Sequence, residues 1–294
     1  MAKSNTKGTN FLVQGSILAI ASIISRIIGL IYRIPMTAII GDVGNNYYAA
    51  AFDIYNVMLI ISSYSLPLAV SKLVSAKMAK GQFKTAYQVL KGALLFALAS
   101  GTIVAVIVFF GAGFFTKTLL STPNSIFALR VLAPALVIVA VLGVIRGFFQ
   151  GLGTMMPSAV SQIIEQVVNA IVSVWAAYVL YRVGAKTGAV LGDKEHYAAA
   201  YGAAGGTLGT NLGSVAALLF VLFVFAVYLR VFKRIMKKDR HVKVDSFAYT
   251  MKVLVITIIP VLLSTTIYNI SGIIDQGIFK KVALMQGYAN DDVE

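Results

Sequence analysis

"SRIIGLIYR", residues 25–33, lies inside a run of isoleucine, leucine and alanine long enough to cross a lipid bilayer, yet it carries Arg26 and Arg33. Seven residues make two turns of an α-helix, so both guanidinium groups project from one face, and Gly29 between them leaves room. An ionisable side chain at mid-bilayer costs about 2.5–3.5 kcal/mol on insertion scales, so it calls for a partner or a water-filled cavity. Arg33 is near enough to the helix end for its stem to reach the interface. Arg26, close to the middle, would have to span half a leaflet. The pair therefore reads as an anion site facing a cavity. Planar, paired guanidinium donors suit phosphate oxygens.

Working outward, the 294 residues are 59% hydrophobic and 12% charged, with a mean hydropathy of +0.84. Average soluble domains are about one quarter charged, so this composition marks a membrane protein. At about 20 apolar residues per crossing, seven helices are expected near 12–40, 49–75, 86–113, 126–150, 156–182, 198–231 and 248–280. The fold class is all-α, a polytopic membrane bundle. The polar start "MAKSNTKGTN" precedes an apolar run too long for a signal peptide and without a small-residue cleavage site, so it reads as an uncleaved first helix. No cysteine is present, which excludes disulfides, thiolate metal sites and cysteine nucleophiles.

With the N-terminus cytoplasmic, that side carries 16 of the 25 lysines and arginines, Arg146 among them. The positive-inside rule selects this orientation. The basic run "RVFKRIMKKDRHVK", residues 230–243, then reads as a topology-setting cytoplasmic loop that also meets anionic membrane lipids. Nucleic acid is excluded as a partner, despite a net charge of +14. Seven crossings leave the C-terminal "YANDDVE" on the outer side.

Pro35, Pro67, Pro134 and Pro260 fall within apolar runs and predict bends. In the sixth helix "GAAGGTLGTNLG" spaces Gly205, Gly209 and Gly213 four apart, with Gly202 and Gly206 alongside, a pattern that lets another helix backbone approach closely. Packing within the chain and a dimer seam are the two readings. Further polar faces accompany the arginines. Asp53 and Asn56 lie three apart on the second helix, and Asp53 is read either as balancing an arginine or as a transport residue. On the fifth helix Ser158, Gln162, Glu165, Asn169 and Ser173 form one continuous stripe. Hydrogen bonding between helices accounts for the two serines, whereas Gln162, Glu165 and Asn169 are taken as cavity lining. In the seventh helix Ser264, Tyr268, Ser271 and Asp275 share a face, and Asp275 is a candidate cation ligand or an interfacial carboxylate.

No GxxxxGK[ST] phosphate loop is present, which argues against ATP hydrolysis. His196 and His241 fall on opposite sides of the membrane, and "GDKEH" at 192–196 reads as a solvated loop. No catalytic residues, cofactor or resident metal are expected, and the chain reads as a transporter rather than an enzyme.

"RGFFQGLGTMMPSAVSQIIEQ", residues 146–166, resembles the turn between the fourth and fifth helices of the polysaccharide-exporter and MurJ-like branches of the MOP flippase superfamily. "SRIIGLIYR" resembles that group's first-helix signature. "LPLAVSKLVSAKMAKGQ", 66–82, resembles the end of its second helix and the following basic loop. The likeness is to the Firmicutes-type branch that includes lipid II flippases and SpoVB.

The resemblance implies a two-lobed transporter of 12 to 14 helices, with a central cavity opening to either side in turn. Its cargo would be an undecaprenyl-pyrophosphate-linked saccharide, such as lipid II or another cell-wall or polysaccharide precursor, carried across the bacterial plasma membrane. Arg26 falls on the first of the family's pyrophosphate-serving arginines. Arg33 comes one residue later than the usual spacing, and Asn46 stands where an acid is frequent. Residues 1–247 would form the six-helix first lobe and 248–294 the first helix of a truncated second lobe, the missing second lobe being a required partner. The competing readings are a MATE-like cation or drug antiporter, which would favour acidic cavity residues, a membrane transferase acting on polyprenyl phosphates, and a non-transporting scaffold subunit.

Overall fold

The computed structural model describes residues 5–237, 239 and 245–286, with side chains from Val13 to Pro260 and at scattered positions beyond. Most of the basic run after Lys237, His241 and the "YANDDVE" terminus lie outside the described residues, as do the side chains of Ser264, Tyr268 and Ser271.

The long elements are helices: α1 (Asn5–Leu59), α2 (Leu66–Ala79), α3 (Phe83–Phe114), α4 (Ile126–Gly151), α5 (Met156–Leu191), α6 (Lys194–Met236) and α7 (Phe247–Met285). Among the described residues, five stretches are long and apolar enough to cross a membrane by length and composition, beginning with the 67 residues Val13–Ala79. At 1.5 Å per residue that stretch would run about 100 Å, over three times a hydrocarbon core of about 30 Å. It cannot cross once and continue straight. The break falls at Gly41, whose φ of 69° and ψ of −177° are non-helical, a region open essentially to glycine alone. Helix resumes at once through "DVGNNYY", residues 42–48, where the hydropathy reading left a gap between its first and second segments. The second arm passes through a π-helical turn, Ile60–Tyr64, into α2. Pro67, at the start of α2, lacks the N–H that an interior position would need, so the helix restarts there.

α4 sits at the centre, with 61% of its most apolar window buried against 6% for the first stretch. One cluster joins α4 residues Leu129, Leu132 and Leu136 to Met36, Tyr47 and Ile54 from the two arms of α1. A second joins Val144 and Phe148 to Leu66 and Val70 of α2, Leu90 of α3 and Phe232 of α6. Along α5 and α6, glycines do the packing. A Cβ at Gly213 would meet the Glu165 carbonyl at 2.5 Å, and one at Gly209 would meet the Asn169 carbonyl at 2.6 Å. The small-residue stripe is thus filled from within the chain, which decides against the dimer reading for these glycines.

Candidate functional site

Gly41 turns the second arm of α1 back toward the first, and an open cavity of about 620 Å³ lies between them. The first arm contributes Arg26, Gly29, Tyr32 and Arg33 to its wall, and the second contributes Tyr48, Phe52, Asp53 and Asn56. Four of the sequence-derived candidates thus share one space. The Arg33 guanidinium stands 5.9 Å from the centre of the Tyr48 ring, within range of a cation–π attraction. No Cβ neighbour would lie within 4 Å at Gly29, so the floor between the arginines is unfilled. Both arginines are exposed to this space, and neither forms an ion pair among the described residues.

Arg26 also reaches a second cavity of about 270 Å³, shared with Ser22, Ser25, Arg146, Gln162, Glu165 and Gln166. Here the acid is already engaged. Arg146 donates from Nη2 to Glu165 Oε2 at 2.8 Å and from Nε to Ser161 Oγ at 2.8 Å, the pair being largely shielded at 14% and 20% exposure. A guanidinium held by two acceptors pins the end of α4 to α5. Ser22 Oγ lies 3.4 Å from Gln162 Oε1, which ties the first arm to the same wall.

Asn169 is placed differently from its expected cavity position. It is buried and lines neither cavity; its Nδ2 donates to the Tyr32 hydroxyl at 3.3 Å. Ser173 Oγ lies 2.9 Å from Asn169 Oδ1 and 2.7 Å from the Gly206 carbonyl. The stripe on α5 therefore divides: Gln162 and Glu165 face space, while Ser158, Asn169 and Ser173 join helices and steady the arginine-bearing arm. Asp275 is exposed on α7 and is not among the residues that line either cavity. Among the described residues, no group of three His, Asp or Glu stands close enough to share a metal ion.

Arg146 is the residue that sequence reasoning missed, having been assigned to the cytoplasmic side. Its signal lay in the turn itself, since Arg146 on the last turns of one helix faces Ser161 and Glu165 on the first turns of the next. Ser22, Ser25 and Tyr32 also went unmarked, though spacings of 3, 4, 3 and 4 link Ser22, Ser25, Gly29, Tyr32 and Met36 on one helical strip. What the arrangement offers chemically is a wet, cation-rich cleft with forked donors, aromatic walls and amide groups, suited to an anionic head bearing hydroxyls.

The family described as polysaccharide biosynthesis protein matches residues 12–275. Over 181 residues the chain is 31% identical to the lipid II flippase MurJ of Bacillus subtilis (strain 168), covering 58% of this chain and 33% of that protein. Over 153 residues it is 29% identical to stage V sporulation protein B of the same organism, covering 52% and 30%. The matched region is about a third of the length of each of these curated relatives. A solved structure of a MOP superfamily transporter from Pyrococcus furiosus Vc1 (DSM3638) shares the fold at a TM-score of 0.62 and 16% identity, covering 92% of this chain and 55% of that one.

Proposed function

We propose that this chain, which belongs to the polysaccharide biosynthesis protein family and the MurJ- and SpoVB-like branch of the MOP flippases, carries the arginine-bearing cleft of a flippase for a lipid-linked saccharide. The cargo is an undecaprenyl-pyrophosphate-linked cell-wall or polysaccharide precursor. Its pyrophosphate enters between the arms of α1, where Arg26 and Arg33 meet it, while the polyprenyl tail stays in the bilayer. Asp53, Asn56 and Gln162 offer polar contacts to the sugars. Glu165 acts through Arg146, holding the cleft wall in place and keeping a second guanidinium beside Arg26.

Residues 1–247 act as a first lobe and 248–294 open a second, with the N-terminus on the cytoplasmic side of the bacterial plasma membrane. Alternating access requires two lobes moving against each other, so transport is a property of the full-length transporter. The wall favours an anion over a cation, which weighs against the antiporter reading.

The observation that carries this proposal is Arg26: a mid-helix guanidinium open to both cavities and outside every ion pair among the described residues. Because the chain has no cysteine, Arg26→Cys supplies the sole thiol for a membrane-impermeant reagent. Labelling is expected, and protection by undecaprenyl pyrophosphate is expected in the otherwise native chain when Cys is placed instead at Gly29. A thiol at either position that no water-soluble reagent reaches would sink the reading. Binding of undecaprenyl pyrophosphate, counted by native mass spectrometry, is expected to weaken at least tenfold in Arg26→Gln.

A further inference from the structure

A third cavity, about 410 Å³, lies apart from the cleft at the end of the bundle where α3 and α5 finish and α4 and α6 begin. Its wall is apolar: Phe109 from α3, Phe127 from α4, Leu180 from α5 and Tyr201 from α6. No residue of α1 lines it. One cation stands at its edge. Arg130, one turn from the start of α4, is exposed and holds its guanidinium 5.7 Å from the centre of the Phe109 ring. Among the described residues no acidic side chain lines this cavity, and Arg130 forms no ion pair.

We propose that this groove is a binding site for one anionic phospholipid, its phosphate on Arg130 and an acyl chain against Phe109, Phe127 and Leu180. Four considerations converge on that occupant. Arg130 is about 6 Å along the axis from the first residue of α4, a depth at which a headgroup phosphate meets a side chain that a bilayer would otherwise leave unneutralised. The Phe109 ring fixes the guanidinium over the groove by its negative face, leaving the fork edge free for oxygen acceptors. The groove beside it is apolar and concave, so a chain lying in it gains contacts that a flat helix surface does not give. Next to its lining in the chain, Phe110 follows Phe109 at 77% exposure and Val183 lies one turn beyond Leu180 at 43%, apolar surface of the kind a lipid chain covers. The charge of the site selects the headgroup, and its shape selects a bilayer lipid over a free phosphate.

The test uses the full chain in vesicles. Trp175 is the single tryptophan, so Trp175→Phe with Phe127→Trp leaves one reporter in the groove. Quenching by brominated phosphatidylglycerol is expected to be several-fold stronger than by brominated phosphatidylcholine at equal mole fraction. Arg130→Gln is expected to equalise the two while keeping quenching by phosphatidylcholine, which reports that the groove is still formed. Arg182→Gln removes another exposed arginine near the end of α5, whose guanidinium lies 5.5 Å from the Tyr178 ring, and is expected to leave the preference intact. Equal quenching by both lipids in the reporter chain, or loss of preference with Arg182→Gln as well, would reduce the groove to general lipid contact and overturn the site. Absence of quenching by either lipid would overturn it too, placing protein, such as a second copy, over this face.

Discussion

Glycine serves opposite ends in two regions of this bundle. Along the α5–α6 seam Gly205, Gly209 and Gly213 are buried, and each is present because the facing backbone occupies the space a side chain would need. Between the arms of α1, Gly29 and Gly41 have nothing within 4 Å of where a Cβ would stand; one keeps a cavity floor open and the other sets a bend. The seam also satisfies its polar groups internally, through Asn169 and Ser173, whereas the arms leave Arg26 and Arg33 facing space. In a bilayer, where apolar burial does not drive helices together, close backbone approach supplies much of the cohesion. A tightly joined pair can then carry a neighbouring element that packs through one face, with Met36, Tyr47 and Ile54 buried, and leaves its other face to the cleft.

The sharpest way to break the contrast is to place one substitution in both regions. Gly209→Leu is expected to cost about 3 kcal/mol or more, because the new side chain meets the Asn169 backbone and must part the helices; loss of monodisperse elution in detergent and a lowered Tm would show it. Glu165→Ala is expected to cost about 2 kcal/mol by leaving the Arg146 guanidinium half of a shielded pair, less than a fully dry pair because the cavity admits water. In a double-mutant cycle Arg146→Met should recover part of that loss, and full additivity would deny the pairing any weight. Gly41→Ala is expected to cost about 1–2 kcal/mol, from backbone geometry alone, since no neighbour is met. Smallest is Gly29→Leu, expected within about 0.5 kcal/mol of the parent in thermal unfolding while weakening binding of undecaprenyl pyrophosphate. A Gly29→Leu chain as damaged as Gly209→Leu would mean the arms are packed after all.

Much of this architecture was legible in the residues. The seven-residue spacing of Arg26 and Arg33 put both on one helix face, and both line the same open space; the glycine stripe announced a close helix pair. What periodicity does not reveal is the partner. Glu165 and Asn169 sit four apart on one stripe, yet one reaches Arg146 beside a cavity and the other reaches Tyr32 inside the seam, because a helix turns gradually from open space to neighbour along its length. Arg146 went unmarked as a site residue for a related reason: counting charges by side does not ask which acid a long side chain meets, and here it is Glu165 on the next helix. The gap at 41–48 was half right: the first segment ends at Gly41 as read, but helix resumes at once instead of at 49. Polar residues there lower hydropathy without ending a helix, and only Gly41 breaks the backbone.

Gly41 has one more consequence. The bend between the two halves of α1 rests on torsion angles that essentially glycine alone adopts, and the side chains flanking it, Met36 and Ile40 before and Tyr47 and Tyr48 after, are buried in one cluster. The mouth of the cleft is thus held like a bracket bent at one corner, and the Tyr32 hydroxyl, accepting from Asn169 on α5, ties the first limb to the bundle.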